Sequence, residues 1–145
     1  MNKVGHSCLW IGNKADAADE EALTSNKILH VVNVARELID KRIKRIAWNK
    51  IGLNDGSNPN GLYVRASSLV ARLYLKDANT LVHCFKGKNR GPLVVILALL
   101  RATNKSPQAI LDMVHSARPI SRDMNKDFKP VIQYFIDNRE KFKIG

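Results

Sequence analysis

A strand, a polar loop and an apolar helix follow one another in the middle of the chain, and this stretch constrains the fold most. Thr80–His83 has the apolar character of a short buried strand, and Leu93–Arg101 is apolar almost all round, as in a core helix. Pro92 stands where a helix tolerates proline, in its first turn. Gly87 permits the loop backbone to turn with positive φ. The pattern predicts a buried strand that leads directly into a buried helix.

The remaining apolar pattern alternates between short β-rich runs and longer helical runs, without an internal repeat or a flexible linker. The predicted strands are Cys8–Ile11, Ile28–Val34, Arg45–Leu53 and Thr80–His83. The predicted helices are Asp19–Asn26, Leu62–Lys76, Leu93–Arg101, one opened by Ser106-Pro107, and Lys126–Lys141. Strands interleaved with helices predict an α/β fold, with a mixed, mostly parallel sheet of about five strands covered by helices on both faces.

Length and cysteine content narrow the class of protein. The 145 residues suit one domain, 1–145, with a core that needs no disulfide or metal. Cys8 and Cys84 are too few for a disulfide framework or a four-cysteine zinc site. The longest apolar run, Leu93–Leu100, is far shorter than the ~20 residues that span a bilayer. We therefore expect a cytoplasmic protein (the nucleus being the alternative location) without a transmembrane segment, metal or cofactor.

The charge of the chain favours anionic partners. Lys and Arg total 24 against 13 Asp and Glu, a net charge of +11. Such a field attracts phosphorylated proteins, phosphoinositides and other polyanions. A solvated basic surface that aids solubility is the simpler explanation of the charge, so charge alone does not identify a partner.

The loop after the central strand combines a thiol with a guanidinium. Cys84 and Arg90 are separated by Phe85, Lys86, Gly87, Lys88 and Asn89. Backbone N–H groups of such a loop can converge on an anion, and the following helix adds positive potential from its dipole. Arg90 at the helix start offers two parallel donors to phosphate oxygens. The same surroundings favour the thiolate of Cys84 and hence its use as a nucleophile.

The motif His83-Cys84-x5-Arg90 resembles the phosphate-binding loop of cysteine-dependent protein tyrosine phosphatases, and within them the small dual-specificity phosphatases. The resemblance extends over nearly the whole chain. The other matching segments, in chain order, are Leu9-Trp10-Ile11-Gly12-Asn13, Ile28–Val34, the loop with Asp55, Arg118-Pro119 and Asn125-x-x-Phe128. Low-molecular-weight tyrosine phosphatases and rhodanese-like sulfur transferases fit less well, since the former place the cysteine near the N-terminus and the latter carry a different loop.

The resemblance implies dephosphorylation of phosphotyrosine and phosphoserine/threonine in proteins through a cysteinyl-phosphate intermediate. It assigns nucleophilic attack to Cys84, binding of the phosphoryl oxygens to Arg90, and general acid and base steps to Asp55. It makes residues 85–90 the phosphate-binding loop. His83 would orient the backbone of Cys84, and Asn125 would brace the loop.

Two departures from the family pattern keep alternatives open. Gly91 stands where the family usually has Ser or Thr, whose hydroxyl helps the thiolate leave, so a slow-turnover phosphate-binding adaptor is one alternative. Lys86 and Lys88 place two cations in the loop, which resembles branches that act on phosphoinositides or other densely charged phosphates. A phosphoinositide or RNA-end phosphatase is therefore the other alternative.

Overall fold

In the computed structural model, which describes residues 1–145, the chain forms five strands and seven α-helices, and the last four helices follow the last strand. The strands are β1 (Asn2–Lys3), β2 (Leu9–Gly12), β3 (His30–Ala35), β4 (Ala47–Leu53) and β5 (Thr80–His83). The helices are α1 (Lys14–Ala18), α2 (Glu20–Ser25), α3 (Asn60–Leu75), α4 (Arg90–Ala102), α5 (Pro107–Ala117), α6 (Lys129–Asp137) and α7 (Arg139–Phe142), with short 3-10 helices at Pro119–Asp123 and Lys126–Phe128.

The strands form one mixed sheet in the spatial order β1-β2-β5-β3-β4. Only β1 runs antiparallel to its neighbour, and β2, β5, β3 and β4 are parallel. β5 therefore occupies the centre, where its short apolar sequence is buried on both sides. The predicted fold class, a mostly parallel sheet of about five strands, is confirmed.

Both faces of the sheet are covered, because successive residues of a strand point to opposite sides. Val32 and Val82 face the larger core, which α3, α4, α5 and α6 complete. Val31 and Leu81 face a smaller core on the other side, which Leu23 of α2 joins. The continuous apolar runs in β3 and β5 thus reflect burial on two faces.

The most deeply buried helix is α4, in which every residue from Arg90 to Arg101 is buried. It follows β5 directly, as the strand–loop–helix pattern predicts. None of the helices in the chain combines the length and the apolar character that crossing a membrane requires.

The structure corrects the sequence prediction at the two ends of the chain. The helix predicted over Lys126–Lys141 is divided into a 3-10 turn, α6 and α7. Pro130 has no N–H to donate within a helix, so it is tolerated only in a first turn. Accordingly α6 begins at Lys129, and Pro130 lies in its first turn. The helix α1 was not predicted. Asn13 and Asp16 cap it reciprocally, since each side chain accepts a hydrogen bond from the other's backbone N–H.

Candidate active site

Parallel strands bring three loops to one edge of the sheet. Glu37 follows β3, Asp55 follows β4 and Cys84 follows β5, all at the carboxyl ends of their strands. Ligand sites of α/β proteins form at this edge, where loops converge and helix N-termini point inward. A cavity of about 240 Å³ opens there, lined by Glu37, Asp55, Cys84, Phe85, Lys86, Lys88, Asn89 and Arg90.

Three successive carbonyl groups of the loop 84–90 are bound by residues that do not line the cavity. The carbonyl of Phe85 accepts a hydrogen bond from the N–H of Lys14 (3.1 Å). Arg118 donates from Nη2 to the carbonyl of Lys86 (2.9 Å) and from Nε to that of Gly87 (3.2 Å). No backbone carbonyl accepts a hydrogen bond from the N–H groups of residues 85–89. A row of free donors therefore follows Cys84, which is the arrangement that binds an anion.

Gly87 is required at the turn of this loop. Its φ is +69°, a region that residues with a side chain rarely adopt. A Cβ there would lie 2.6 Å from Arg118 Nη2 and 2.8 Å from the carbonyl oxygen of Gly12. Any side chain at this position would displace the arginine that holds the loop carbonyls outward.

Cys84 lies at the base of the cradle formed by residues 85–90, with only 2% of its surface exposed, and it is a free thiol. His83 Nδ1 lies 3.4 Å from the carbonyl oxygen of Cys84. Burial lowers the pKa of His83, which favours the neutral ring. A neutral imidazole with its proton on Nδ1 can donate to that carbonyl, so His83 is placed to orient the Cys84 backbone.

Arg90 is the first residue of α4 and is held by a carboxylate that sequence analysis missed. Its Nη1 and Nη2 donate to the two carboxylate oxygens of Glu37 at 2.6 and 2.7 Å, and Nη1 also donates to the carbonyl of Leu53 at 2.9 Å. Nε is buried without a partner. Of the five guanidinium N–H groups, those left free are the one on Nε and the second one on Nη2. They form one edge of the guanidinium, suited to two oxygens of a phosphoryl group.

The Arg90–Glu37 ion pair also changes the acidity of both groups. The hydrogen bond from Arg90 lowers the pKa of Glu37 to about 2. The same bond raises the pKa of Arg90. Both side chains are therefore charged across the physiological range, and the contacts of Nη1 and Nη2 fix the guanidinium plane while the Nε–H stays free.

A network of side-chain amides holds Asp55 at the mouth of the cavity. Asn89 Nδ2 donates to Asp55 Oδ2 at 3.0 Å, and Asn125 Nδ2 donates to Asp55 Oδ1 at 3.2 Å. Asn89 Oδ1 in turn accepts from the backbone N–H of Asn125 at 2.9 Å. Asn125 thus contacts the loop that carries Asp55 and, through Asn89, the cradle, which is the position that its predicted bracing role requires. An exposed carboxylate in such a network keeps a fixed position while remaining open to water.

The structure brings the sequence-predicted residues together. Cys84, Arg90, Asp55 and residues 85, 86, 88 and 89 line one cavity, Gly87 shapes the loop, and His83 and Asn125 contact it from outside. Glu37 was missed, although its position just after a predicted parallel strand was a usable signal. Arg118 belongs to a segment that matches the family pattern, but its hydrogen bonds to the loop carbonyls are not evident from the sequence. No group of three or more His, Cys, Asp or Glu side chains in the chain is arranged to hold a metal.

This fold and site, with a cysteine and an arginine closing a loop of free N–H donors, define a protein of the cysteine-dependent phosphatase type. Comparison with protein-family models finds the catalytic domain of dual specificity phosphatases, which matches residues 9–135. The chain belongs to this family.

Individual relatives agree with this assignment. The chain is 29% identical over 129 residues to dual specificity protein phosphatase 15 of Rattus norvegicus, covering 88% of this chain and 54% of that protein. It is 28% identical over 113 residues to dual specificity protein phosphatase 19 of Mus musculus, covering 77% and 51%. The chain thus spans about half the length of these curated relatives. Among solved structures, human DUSP28 superposes with a TM-score of 0.87 at 21% identity, over 97% of this chain and 99% of that one, which shows the shared fold.

Proposed function

We propose that the chain removes phosphate from phosphotyrosine and phosphoserine/threonine side chains of proteins through a cysteinyl-phosphate intermediate. The observation that carries this proposal is the set of unpaired N–H donors of residues 85–89, which surrounds Cys84 and is completed by the free edge of Arg90. The donors are fixed before any ligand arrives, so they stabilise a phosphoryl group without reorganising. The relatives that are named protein phosphatases support a protein substrate.

The first chemical step transfers the phosphoryl group to sulfur. The thiolate Sγ of Cys84 attacks phosphorus, the bond from phosphorus to the ester oxygen breaks, and the electron pair stays on that oxygen. Asp55, protonated for this step, gives its proton to the leaving oxygen, and the free alcohol or phenol departs. Arg90 and the cradle hold the three remaining oxygens as their negative charge spreads.

The second step returns the enzyme to its starting state. Asp55, now ionised, accepts a proton from a water molecule as the water oxygen attacks phosphorus. The phosphorus–sulfur bond breaks, its electron pair returns to Cys84 as the thiolate, and inorganic phosphate leaves. Gly91 supplies no hydroxyl to stabilise this thiolate, although the Cβ of a residue there would lie only 3.6 Å from Sγ. We therefore expect the second step to limit turnover.

One comparison of substrates tests the proposed function. Wild type and Cys84→Ser are assayed for phosphate release from a generic aryl phosphate, phosphotyrosine and phosphoserine/threonine peptides, phosphoinositides and RNA with a 5′-terminal phosphate. We expect wild type to act best on phosphopeptides and Cys84→Ser to be inactive while still binding an unreactive phosphate analogue. Binding without any hydrolysis by wild type would instead identify a phosphate-binding adaptor, and preference for a lipid or RNA phosphate would replace the protein substrate.

A further inference from the structure

A second concave surface lies at the opposite end of the sheet from the cradle. It is a groove of about 520 Å³ at the amino ends of β3 and β4, and we call it the basic groove. Its apolar lining residues include the buried Ile28 and Ile43, and its three cationic residues are exposed; we call the apolar residues its floor and the cations its rim. Its lining includes Lys27, Leu29, Ile43, Lys44, Arg45 and Ile46.

The backbone around the basic groove is held in an unusual conformation. Lys27, Arg42 and Arg45 have φ values of 54°, 54° and 73°, and they are three of the four non-glycine residues in the chain with positive φ. This region is unfavourable for residues that carry a Cβ, and such residues persist where the surrounding structure holds them, often at ligand-binding sites. The segment between β3 and β4 is also fastened to its surroundings, since Trp48 Nε1 donates to the carbonyl of Ile43 at 3.0 Å. The groove is therefore a built feature of the fold.

The charges on the rim have no counter-ions in the chain. Only two ion pairs are present, Met1 with Asp16 and Arg90 with Glu37. No Asp or Glu lines the basic groove, so Lys27, Lys44 and Arg45 present their charge to solvent unopposed. Unpaired cations around a concave surface attract an anionic group more strongly than scattered cations do.

The floor of the groove distinguishes between anionic partners. Leu29 is 54% exposed, although it directly precedes a buried strand, and Ile46 is partly exposed beside it. A concavity with an apolar floor fits an apolar side chain between acidic ones. A nucleic-acid backbone would leave this floor unused, and a flat bilayer surface would not fill the concavity. The observations therefore favour a peptide.

We propose that the basic groove docks an acidic segment with an embedded apolar residue, located on the substrate protein away from its phosphorylated residue. The choice of the substrate as partner rests on the proposed function. β3 has six residues between the two sites, so the groove and the cradle are about 20 Å apart at ~3.3 Å per residue. A single extended chain can occupy both sites, and binding at the groove then raises the local concentration of the phosphorylated residue at Cys84.

Direct binding tests the groove independently of catalysis. The Cys84→Ser chain is titrated against a fluorescent, unphosphorylated peptide that repeats Glu-Asp-Leu, and against the same peptide with Ser for Leu. A triple variant, Lys27→Glu/Lys44→Glu/Arg45→Glu, reverses the charge of the rim. If this variant does not fold, the corresponding Gln variant, which neutralises the same charges, takes its place. The control, Lys129→Glu/Lys141→Glu/Lys143→Glu, makes the same change of net charge on exposed residues near the C-terminus. We expect about tenfold weaker binding in the rim variant alone, and weaker binding of the Ser peptide by wild type.

A kinetic experiment then tests the link to the substrate. A phosphotyrosine peptide carries the acidic, Leu-containing tail on a 20-residue Gly/Ser linker, whose mean span is about 25 Å. We expect the tail to lower KM about tenfold for wild type and for the C-terminal control variant, without changing kcat, and to have no effect in the rim variant. Hydrolysis of a small aryl phosphate should be equal in all three.

The outcomes separate the proposals. Two results would overturn the docking site: equal binding of the Leu and Ser peptides, or an equal loss of peptide affinity in the rim and control variants. Either result would show that the peptide is attracted only by the net charge of the chain. Sedimentation of wild type with phosphatidylserine vesicles, without binding to the peptide, would identify a membrane-binding surface instead. Peptide binding at the groove in a chain that hydrolyses no phosphate ester would contradict the proposed function and leave the groove itself supported.

Discussion

Glu37 and Arg90 form a bidentate ion pair, in which the two carboxylate oxygens accept hydrogen bonds from Nη1 and Nη2 of the guanidinium at 2.6 and 2.7 Å. The pair fixes the plane of the Arg90 guanidinium and leaves Nε without a partner, on a residue that lines the cavity. Glu37 is half-exposed, whereas Arg90 is buried, so the carboxylate reaches the arginine from the surface of the protein. We infer that Glu37 is a positioning residue for the phosphate-binding arginine.

Glu37→Gln should lower kcat/KM, because an amide cannot accept from both guanidinium nitrogens and carries no charge. Loss of one hydrogen bond to a charged group costs roughly 1.5–3 kcal/mol, which corresponds to about 10–150-fold in rate if felt in the transition state. The measurement is steady-state hydrolysis of an aryl phosphate, with Glu140→Gln on the surface of α7 as the matched control. Equal activity of the two variants would show that the Arg90 side chain is held well enough without Glu37.

The Glu37 ion pair should also affect stability at acid pH. The pKa of Glu37 is lowered to about 2 in the folded chain from an ordinary value of 4.5. The unfolded chain therefore binds the proton first, and the stabilisation from the pair is complete above about pH 4.5 and is lost as the pH falls towards 2. Urea unfolding of wild type and Glu37→Gln should give a stability difference that is largest at pH 5 and shrinks towards pH 2. Because Glu37 is half-exposed, water screens the pair and the difference should be modest. A difference that does not depend on pH would assign the effect to packing.

Asp55→Asn should reduce turnover by about 10²–10⁴, the usual contribution of a positioned general acid. The amide keeps the shape and the hydrogen bond from Asn125 to the backbone carbonyl of Asp55, but it cannot supply a proton. The loss should shrink for aryl phosphates with more acidic leaving groups, which need no proton. A series of substituted phenyl phosphates measures this dependence, with Asp123→Asn as the surface control. The same loss with every leaving group would mean that Asp55 has only a structural role.

Local patterns in the sequence were sufficient to predict four of the five strands and the cradle, but not the short edge strand β1. β5, Gly87 and the apolar α4 are contiguous, so a strand, a turn and a helix could be inferred from a few neighbouring residues. Glu37 and Arg118 were not predicted as site residues, because their partners are far away in the sequence. Arg118 contacts the loop only after α5 has packed, and Glu37 reaches Arg90 only when β3 and β5 pair. Such contacts depend on the order of strands in the sheet, which residue periodicity does not specify.

Gly91→Ser should raise steady-state turnover. Gly91 has helical backbone, and a Cβ there would make ordinary contacts, 3.5 Å from the carbonyl oxygen of Val82 and 3.6 Å from Cys84 Sγ, so a side chain fits. A serine hydroxyl could then donate to the sulfur as it becomes a thiolate, worth ~1.5–3 kcal/mol or about 10–150-fold in the second step. Gly91→Ala provides the same Cβ without a hydroxyl and should not accelerate turnover. An equal gain from both substitutions would assign the effect to helix propensity.

The covalent intermediate is the central claim, and a rapid acid quench followed by mass spectrometry tests it most directly. Wild type is mixed with an excess of aryl phosphate, quenched within one turnover, and digested to isolate the peptide that contains Cys84. We expect that peptide to gain the mass of one phosphoryl group, in step with a burst of released phenol, and to gain less in Gly91→Ser. Steady hydrolysis by wild type with no phosphorylated Cys84 peptide at any time, or hydrolysis that persists in Cys84→Ser, would contradict the account.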